Sequence, residues 1–299
     1  MFFLLHLPQT ILVRGTATFR ERGVDVLSPH GFGRMHYYEW GDPANRDVVI
    51  CVHGLTRNGR DFDALAQQLC GQFRVLCPDV PGRGKSDWLR DPNDYVFPTY
   101  ANALSALIAR AEARALSWVG TSMGGLLGIV LASQPGTPIG RLVINDVGPV
   151  LEPAALQRIG TYVGSDPIFA TFAELEAHIR LVSAPFGALT DAQWQHLSAT
   201  TARQLPDGRW KLVYDPGIAV PIRAAQADQR VLLWALWDAI RCPSLLLRGA
   251  QSDLLAASTA REMAERGPKP ALIEFSDVGH APMLLDADQI APVAAFLRG

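Results

Sequence analysis

Short apolar segments alternate along the chain with longer segments in which apolar residues recur at helical spacing. The apolar segments predict strands at Arg34–Trp40, Val48–Val52, Arg74–Pro78, Ala115–Val119, Leu142–Val147, Leu245–Arg248 and Ala271–Phe275. Helical spacing predicts helices at Asp61–Leu69, Thr99–Ala111, Ser122–Ala132, Ser258–Glu265 and Asp288–Leu297. Strands that alternate with helices form a mostly parallel sheet with helices on both faces. The pattern therefore predicts an α/β fold.

One connection between strands is too long for an ordinary loop. About ninety residues separate the strand that ends near Val147 from the strand that begins near Leu245. We expect a helical insertion there, with candidate helices at Ala154–Tyr162, Ala173–Val182, Asp191–Thr201 and Val231–Ile240. The predicted division is an N-terminal extension (1–32), a core (33–148 and 241–299) and the insertion (149–240).

Charge and cysteine content exclude several classes of function. The 299 residues carry a formal net charge of −2, and no basic run is present that would neutralise nucleic-acid phosphates. Cys51, Cys70, Cys77 and Cys242 show no metal-ligand spacing. We therefore expect reduced thiols, a cytoplasmic location, and no metal or organic cofactor.

The N-terminal segment Met1–Pro8 is apolar but short. It lacks a basic n-region and reaches a proline well before a membrane-spanning length. We expect an ordered extension and no membrane span; a signal remnant or a membrane-touching segment is the alternative.

The stretch Gly120–Gly124 carries the strongest chemical signal. Ser122 stands between two glycines, after an apolar strand and before a predicted helix. A sharp strand-to-helix turn of this kind exposes a serine hydroxyl and crowds its neighbours, and glycine relieves the crowding. Ser122 is therefore the predicted nucleophile.

A serine nucleophile needs a base and an acid that orients the base. His280 lies in the loop after the last predicted strand, so it is the candidate base. Asp253, in the turn after the preceding strand, is the candidate acid, and Asp146 at the end of an earlier strand is the competing one. Four other histidines are expected to be structural or solvated, namely His6, His36, His178 and His196.

The order Ser122, Asp253, His280 is that of the α/β-hydrolase fold. Two further motifs occur in the matching succession, Val52–Leu55 after a strand and the D-x-x-G-x-G-x-S pattern of Asp79–Ser86. From about Gly33 to Gly299, the chain resembles the α/β-hydrolase superfamily.

This resemblance implies roles for further residues. The backbone amides of Leu55 and Met123 would form the oxyanion hole, and His53 would shape the loop that holds Leu55. Four residues would stabilise the neighbouring loop, namely Asp79, Arg83, Ser86 and Asp87. The insertion would act as a helical cap over the site.

Substrate contacts are expected from the cap and from the loop after Leu55. Arg57 and Asn58 are candidates for holding a polar substrate group, with a structural salt bridge as the alternative for Arg57. The aromatic candidates are Phe169, Phe172, Phe186, Trp194, Trp210, Trp234 and Trp237. Core packing is the alternative for each of these aromatic residues.

The predicted function is hydrolysis of small to medium, moderately apolar carboxylic esters through an acyl-enzyme. A serine nucleophile argues against relatives that use a carboxylate nucleophile, and the chain has no His-Gly-Gly-Gly loop. The expected partner is a small-molecule ester. Two alternatives stay open, a carbon–carbon bond hydrolase of the meta-cleavage type and a non-catalytic receptor that binds a ligand in the same pocket.

Overall fold

The computed structural model of the protein describes residues 18–151, 153–224 and 231–299, with all side chains in these ranges except those of 153–156 and 162. Most of the predicted N-terminal extension, residues 1–17, therefore lies outside the described part of the chain.

The strands and helices alternate much as the sequence pattern predicts. The strands are β1 (Arg20–Ser28), β2 (Gly31–Trp40), β3 (Asp47–Val52), β4 (Arg74–Pro78), β5 (Ala115–Thr121), β6 (Ile139–Asn145), β7 (Val150–Leu151), β8 (Ile168–Phe169), β9 (Ala202–Gln204), β10 (Trp210–Leu212), β11 (Val231–Leu232), β12 (Ser244–Gly249) and β13 (Ala271–Phe275). The α-helices are α1 (Asp63–Leu69), α2 (Phe97–Ala111), α3 (Met123–Ala132), α4 (Pro153–Tyr162), α5 (Phe172–Val182), α6 (Asp191–Thr201), α7 (Ala219–Ala224), α8 (Trp234–Ala239), α9 (Ala257–Glu265) and α10 (Ala287–Arg298).

Eight strands form the central sheet, in the order β1-β2-β4-β3-β5-β6-β12-β13. The pairs β1–β2 and β2–β4 are antiparallel, and the other neighbours are parallel. The carboxyl ends of β5, β6, β12 and β13 therefore meet at one edge, where ligands bind in sheets of this kind.

Each face of the sheet is buried under helices. Alternate residues of β3 belong to opposite apolar clusters, since Ile50 packs with α2 and α3 while Val49 packs with α1 and α10. This alternation follows from the two-residue period of a strand. The predicted α/β fold, with helices on both faces of a mostly parallel sheet, is confirmed.

The sheet also includes a strand that the sequence pattern did not predict. β1 lies inside the segment assigned to the N-terminal extension, and it pairs along its whole length with β2. Its residues are mostly half-buried or exposed, as expected of an edge strand. A polar edge strand lacks the apolar run that revealed the central strands.

The insertion is mixed in structure and not purely helical. α4, α5 and α6 agree closely with three predicted helices, but the predicted helix Val231–Ile240 begins as strand β11, and α8 starts only at Trp234. The insertion also contains a small sheet of order β8-β10-β9 and the pair β11-β7. Strands of two or three residues are too short to produce a recognisable period.

Candidate active site

The turn between β5 and α3 holds Ser122 in an unusual backbone conformation. Its φ is 53° and its ψ is −116°, a region that side-chain-bearing residues rarely adopt. A Cβ atom at Gly120 would lie 2.2 Å from the Gly124 carbonyl oxygen, and one at Gly124 would lie 2.0 Å from that of Val52. Glycine is therefore required on both sides of the serine, as the sequence motif predicts.

The hydroxyl of Ser122 contacts His280, which in turn contacts a carboxylate. The distance from Ser122 Oγ to His280 Nε2 is 2.9 Å, and that from His280 Nδ1 to Asp146 Oδ2 is 2.7 Å. Because a carboxylate accepts hydrogen bonds, Nδ1–H donates to Asp146 and Nε2 is left to accept from the serine. This is the arrangement in which an imidazole serves as a general base.

Asp146 is held by the neighbouring strand. Its Oδ1 accepts a hydrogen bond from the Gly249 backbone amide at 2.9 Å, and its Oδ2 accepts one from Ser252 Oγ at 2.7 Å. The side chain is fully buried. Together with His280, these donors satisfy a buried carboxylate, which would otherwise be costly to remove from water.

The prediction that Asp253 contacts His280 is wrong. The Asp253 carboxylate is 53% exposed and pairs with Arg158, whose Nε lies 2.7 Å from Oδ2. The turn after β12 directs the Ser252 hydroxyl to Asp146 and the Asp253 carboxylate to Arg158. Asp146, the competing candidate, reaches His280 because it leaves β6 with a φ of 56° beside the end of β12.

The loop after β3 is shaped by a buried histidine. His53 Nδ1 donates to the Gly54 carbonyl at 2.6 Å, and its Nε2 accepts from the Val80 amide at 2.9 Å. Burial lowers the pKa of His53 to about 4, so the ring is neutral at neutral pH. These contacts agree with the predicted structural role of His53.

Arg83 connects the two segments that carry the candidate oxyanion donors. Its side chain is fully buried, and Nε donates to the Leu55 carbonyl at 2.8 Å. Nη1 donates to the Pro81 carbonyl and to Tyr100 Oη, each at 2.8 Å, and Nη2 lies 3.8 Å from Met123 Sδ. The guanidinium thus holds the backbone carbonyl group of Leu55 in place.

Other residues of the same loop close its turns with hydrogen bonds. Asp79 accepts from the amides of Gly59 and Lys85, both at 2.8 Å. Ser86 Oγ accepts from the His36 amide at 2.8 Å, and Asp87 accepts from the Arg34 amide at 2.8 Å. These contacts agree with the loop-stabilising roles that the resemblance implies.

The predicted oxyanion donors are the backbone amides of Leu55 and Met123. Leu55 lines the cavity above the serine, and Met123 is the first residue of α3, directly after Ser122. The amides at a helix N-terminus lack an intrahelical acceptor and carry partial positive charge. An oxyanion formed beside Ser122 would meet that charge.

Ser122 and His280 open into a cavity of about 140 Å³. Its polar wall includes Arg57, Asp61, Arg158, His178 and Tyr214, and its apolar wall includes Ile159, Val163, Ile179, Val182, Phe186, Leu212 and Met283. Most of these residues belong to the insertion. The wall is therefore mixed in polarity.

Only some of the residues predicted to contact the substrate line the cavity. Arg57 lines it and pairs with Asp61, through bonds of 2.9 and 2.6 Å, so the salt bridge is present and the substrate contact of Arg57 stays a prediction. Trp194, Trp234 and Trp237 are not among the described residues that line the cavity.

The three tryptophans have structural contacts instead. Trp194 stacks on Phe186 with ring centroids 6.4 Å apart, the Arg266 guanidinium lies 4.4 Å from the Trp234 ring, and Trp237 is fully buried. Core packing, the alternative given for aromatic residues, therefore describes all three.

His178 and Arg158 are among the polar residues of the cavity that the sequence did not predict. His178 lines it, and burial lowers the pKa of its imidazole, although it was expected to be structural or solvated. Arg158 also lines it. Both lie on amphipathic helices of the insertion, where the sequence does not show which face meets the core.

Within the described ranges, no group of three or more histidine, cysteine, aspartate or glutamate side chains is placed to hold a metal ion. Nor does any helix of these ranges have the length and apolar character needed to cross a bilayer.

Residues 49–294 match the family model described as the alpha/beta hydrolase family. The chain belongs to this family. It is 49% identical to a 3-hydroxybutyrate-oligomer hydrolase of Cupriavidus necator over 92% of this chain and 97% of that protein. It is 28% identical to an esterase of Mycobacterium tuberculosis over 89% of this chain and 86% of that protein.

A solved structure of an alpha/beta hydrolase from Novosphingobium aromaticivorans is also similar. It has a TM-score of 0.84 and 37% identity, with 95% of this chain and 99% of that chain covered. The predicted superfamily membership is therefore confirmed, as is the prediction of a hydrolase acting on ester bonds.

Proposed function

We propose that this alpha/beta hydrolase is a serine esterase that cleaves short esters, including oligomers of 3-hydroxy acids, through an acyl-enzyme. The observation that carries the proposal is the continuous contact from Ser122 through His280 to Asp146 at the floor of a small cavity. Asp146 takes the role first assigned to Asp253.

The first half-reaction transfers the acyl group to the enzyme. Ser122 Oγ bonds to the ester carbonyl carbon while its proton moves to His280 Nε2, and the carbonyl oxygen becomes an oxyanion that accepts from the amides of Leu55 and Met123. The bond to the leaving oxygen then breaks, and His280 returns the proton to it. The alcohol leaves, and Ser122 remains acylated.

The second half-reaction uses water in the same geometry. Water gives a proton to His280 Nε2 as its oxygen bonds to the acyl carbon, and collapse of the second oxyanion releases the acid and restores the Ser122 hydroxyl. Throughout, Asp146 keeps Nδ1 protonated and stabilises the positive charge on the imidazole.

The substrate class rests on the cavity and on the relatives. A volume of about 140 Å³ suits a short acyl group, and a wall that mixes apolar with charged residues suits a substrate with further oxygen atoms. A relative named as a 3-hydroxybutyrate-oligomer hydrolase matches nearly the whole chain. Oligoesters of short hydroxy acids meet both requirements.

The insertion, residues 149–240, supplies most of the apolar wall, so we assign it the role of a cap.

The cysteines at 51, 70, 77 and 242 are free, which supports a reducing, cytoplasmic location.

The test is hydrolysis of p-nitrophenyl esters from acetate to palmitate and of 3-hydroxybutyrate dimer and trimer. We expect activity that is highest for short acyl chains, cleavage of the oligomers, and a loss of about 10⁶-fold in kcat for Ser122→Ala. If Ser122 is labelled by a fluorophosphonate but no ester is hydrolysed, the esterase assignment is rejected and carbon–carbon substrates become the next class to examine.

A further inference from the structure

Among the residues that the structure describes, two arginines line the cavity, Arg57 and Arg158, and their ion pairs differ in exposure. Arg57 makes two hydrogen bonds to Asp61, and the two side chains are only 12% and 9% exposed. Arg158 pairs with Asp253, and these side chains are 41% and 53% exposed. The second pair is therefore in contact with solvent.

This difference decides which cation is available to a ligand. Breaking a buried ion pair leaves an uncompensated charge away from water, which is strongly unfavourable. A solvent-exposed pair contributes little and exchanges its partner readily. Arg57 is thus neutralised in place by Asp61, whereas Arg158 can exchange Asp253 for another carboxylate.

The contact between Arg158 and Asp253 shows how a carboxylate meets this guanidinium. Nη2 donates to Oδ1 at 3.0 Å, and Nε lies 2.7 Å from Oδ2. A substrate carboxylate that takes the place of Asp253 would meet the same two nitrogen atoms.

Arg158 lies beside the catalytic residues. It lines the same cavity as Ser122 and His280. Its partner Asp253 directly follows Ser252, which donates to Asp146. A group bound to Arg158 would therefore be held at the edge of the cavity, next to the turn that orients the base.

We propose that Arg158 binds the free carboxylate of the substrate, with Asp253 occupying the guanidinium while the site is empty. The ligand class is an ester that carries a terminal carboxylate, as an oligomer of hydroxy acids does. This inference rests on the proposed esterase function and deepens it, because it explains how the site distinguishes an acidic oligoester from a neutral ester. The planar guanidinium suits this task better than an ammonium group.

The experiment compares two forms of one substrate. The probes are 3-hydroxybutyrate dimer with its free carboxylate and the same dimer with that carboxylate converted to a primary amide. Cleavage of the internal ester is followed by release of 3-hydroxybutyrate. The wild type should prefer the acid by about tenfold in kcat/KM, through KM, which is the size expected for one charge-assisted contact.

Arg158→Gln should reduce that preference to about one by raising KM for the acid, whereas a general structural loss would lower kcat for both probes. The matched control is Arg209→Gln, since Arg209 forms an equally exposed pair with Asp207, with side chains 53% and 51% exposed, and does not line the cavity among the described residues. This control should keep the wild-type preference.

Asp253→Asn is a second variant, for which KM should change in the opposite direction. Removing the competing carboxylate frees the guanidinium, so KM for the acid should fall by about two- to fivefold at low salt. This result would support the inference even if Arg158→Gln failed to fold.

Two results would overturn the inference, and they are distinguishable. Equal cleavage of acid and amide by the wild type, or an acid preference that survives Arg158→Gln, rejects the carboxylate site and leaves the esterase intact. Failure of the wild type to cleave either dimer or any p-nitrophenyl ester rejects the proposed function and, with it, this inference.

Discussion

The core side of the cavity and its insertion side differ in how their charged groups are held. On the core side, Asp146 is fully buried and has three hydrogen-bond donors. On the insertion side, Arg158 pairs with a half-exposed Asp253, and both side chains are in contact with solvent. Two aspartates at the ends of neighbouring strands thus have opposite environments. The buried one suits a fixed part of a reaction, and the exposed one suits exchange with a ligand.

Neutralising each aspartate in turn tests whether the two carboxylates have different roles. Asp146→Asn should lower kcat for p-nitrophenyl butyrate by about 10⁴-fold, because an amide no longer enforces the required imidazole tautomer. Asp253→Asn is the matched control and should stay within about threefold of the wild type, since it touches the base only through its neighbour in the chain. Similar losses in both variants would contradict the distinction.

The second prediction concerns Arg83, a fully buried charge on the core side. Arg83→Met leaves the Leu55 and Pro81 carbonyls and Tyr100 Oη without their donor. We expect the free energy of unfolding to fall by about 3 kcal/mol, together with a lower kcat because Leu55 is less firmly held. Chemical denaturation and steady-state kinetics measure the two effects.

Tyr100→Phe is the control for Arg83→Met, because it removes a single acceptor and should cost about 1 kcal/mol. A loss in Arg83→Met no larger than this would show that the buried guanidinium is not an organising group.

A third prediction uses the neutral His53 imidazole. Its pKa in the folded protein is about 4, below the unfolded value of about 6.5, so the unfolded chain binds more protons between these values. The free energy of unfolding should therefore fall as pH decreases from about 6.5 to 4, by about 3 kcal/mol from this residue. Urea denaturation across this range measures the slope.

His53→Gln should flatten that slope, even though it lowers stability at neutral pH. His196→Gln is the control, because His196 is half-exposed, with its Nε2 3.2 Å from the Arg60 carbonyl oxygen and 3.5 Å from Asp63 Oδ2. An unchanged slope in His53→Gln would mean that other groups cause the acid sensitivity.

The smallest effect is expected for Ser252, whose hydroxyl links the turn after β12 to Asp146 at the end of β6. Ser252→Ala removes one donor from Asp146 Oδ2 and should lower kcat by about tenfold, with little change in KM. Ser276→Ala removes a hydroxyl that donates to the exposed side chain of Asp277 and should leave kcat unchanged. If Ser252→Ala also leaves kcat unchanged, the Gly249 amide is sufficient to hold the carboxylate.

The sequence was informative where a local pattern determines the structure. The apolar strands, the glycines around Ser122 and the loop position of His280 each leave a signal within a few residues, and the structure agrees with them. The alternation of residues between two cores follows from strand geometry alone.

The choice between Asp146 and Asp253 could not be made in this way. Both follow strands that are neighbours in the sheet, so both are near His280, and the direction of each side chain depends on one backbone turn. The positive φ of Asp146 has no sequence signal of its own. The small-residue turn after a buried strand favoured Asp253 in the sequence, and the hydrogen bond to His280 favours Asp146 in the structure.

The insertion was hardest to predict for a related reason. Its helices are amphipathic, and only tertiary packing shows that Arg158 and His178 meet the cavity while Trp194 and Trp237 are buried elsewhere. Aromatic residues dominate buried surface in general, so size alone did not separate a substrate contact from a core residue.

The most direct test of the account is the proton on His280 Nδ1, observed by NMR as a downfield resonance in a hydrogen bond to a buried carboxylate. We predict that this resonance is present in the wild type and in Asp253→Asn, and that it is lost or shifted far upfield in Asp146→Asn. Its loss in Asp253→Asn and retention in Asp146→Asn would contradict the assignment of Asp146 as the partner of the base.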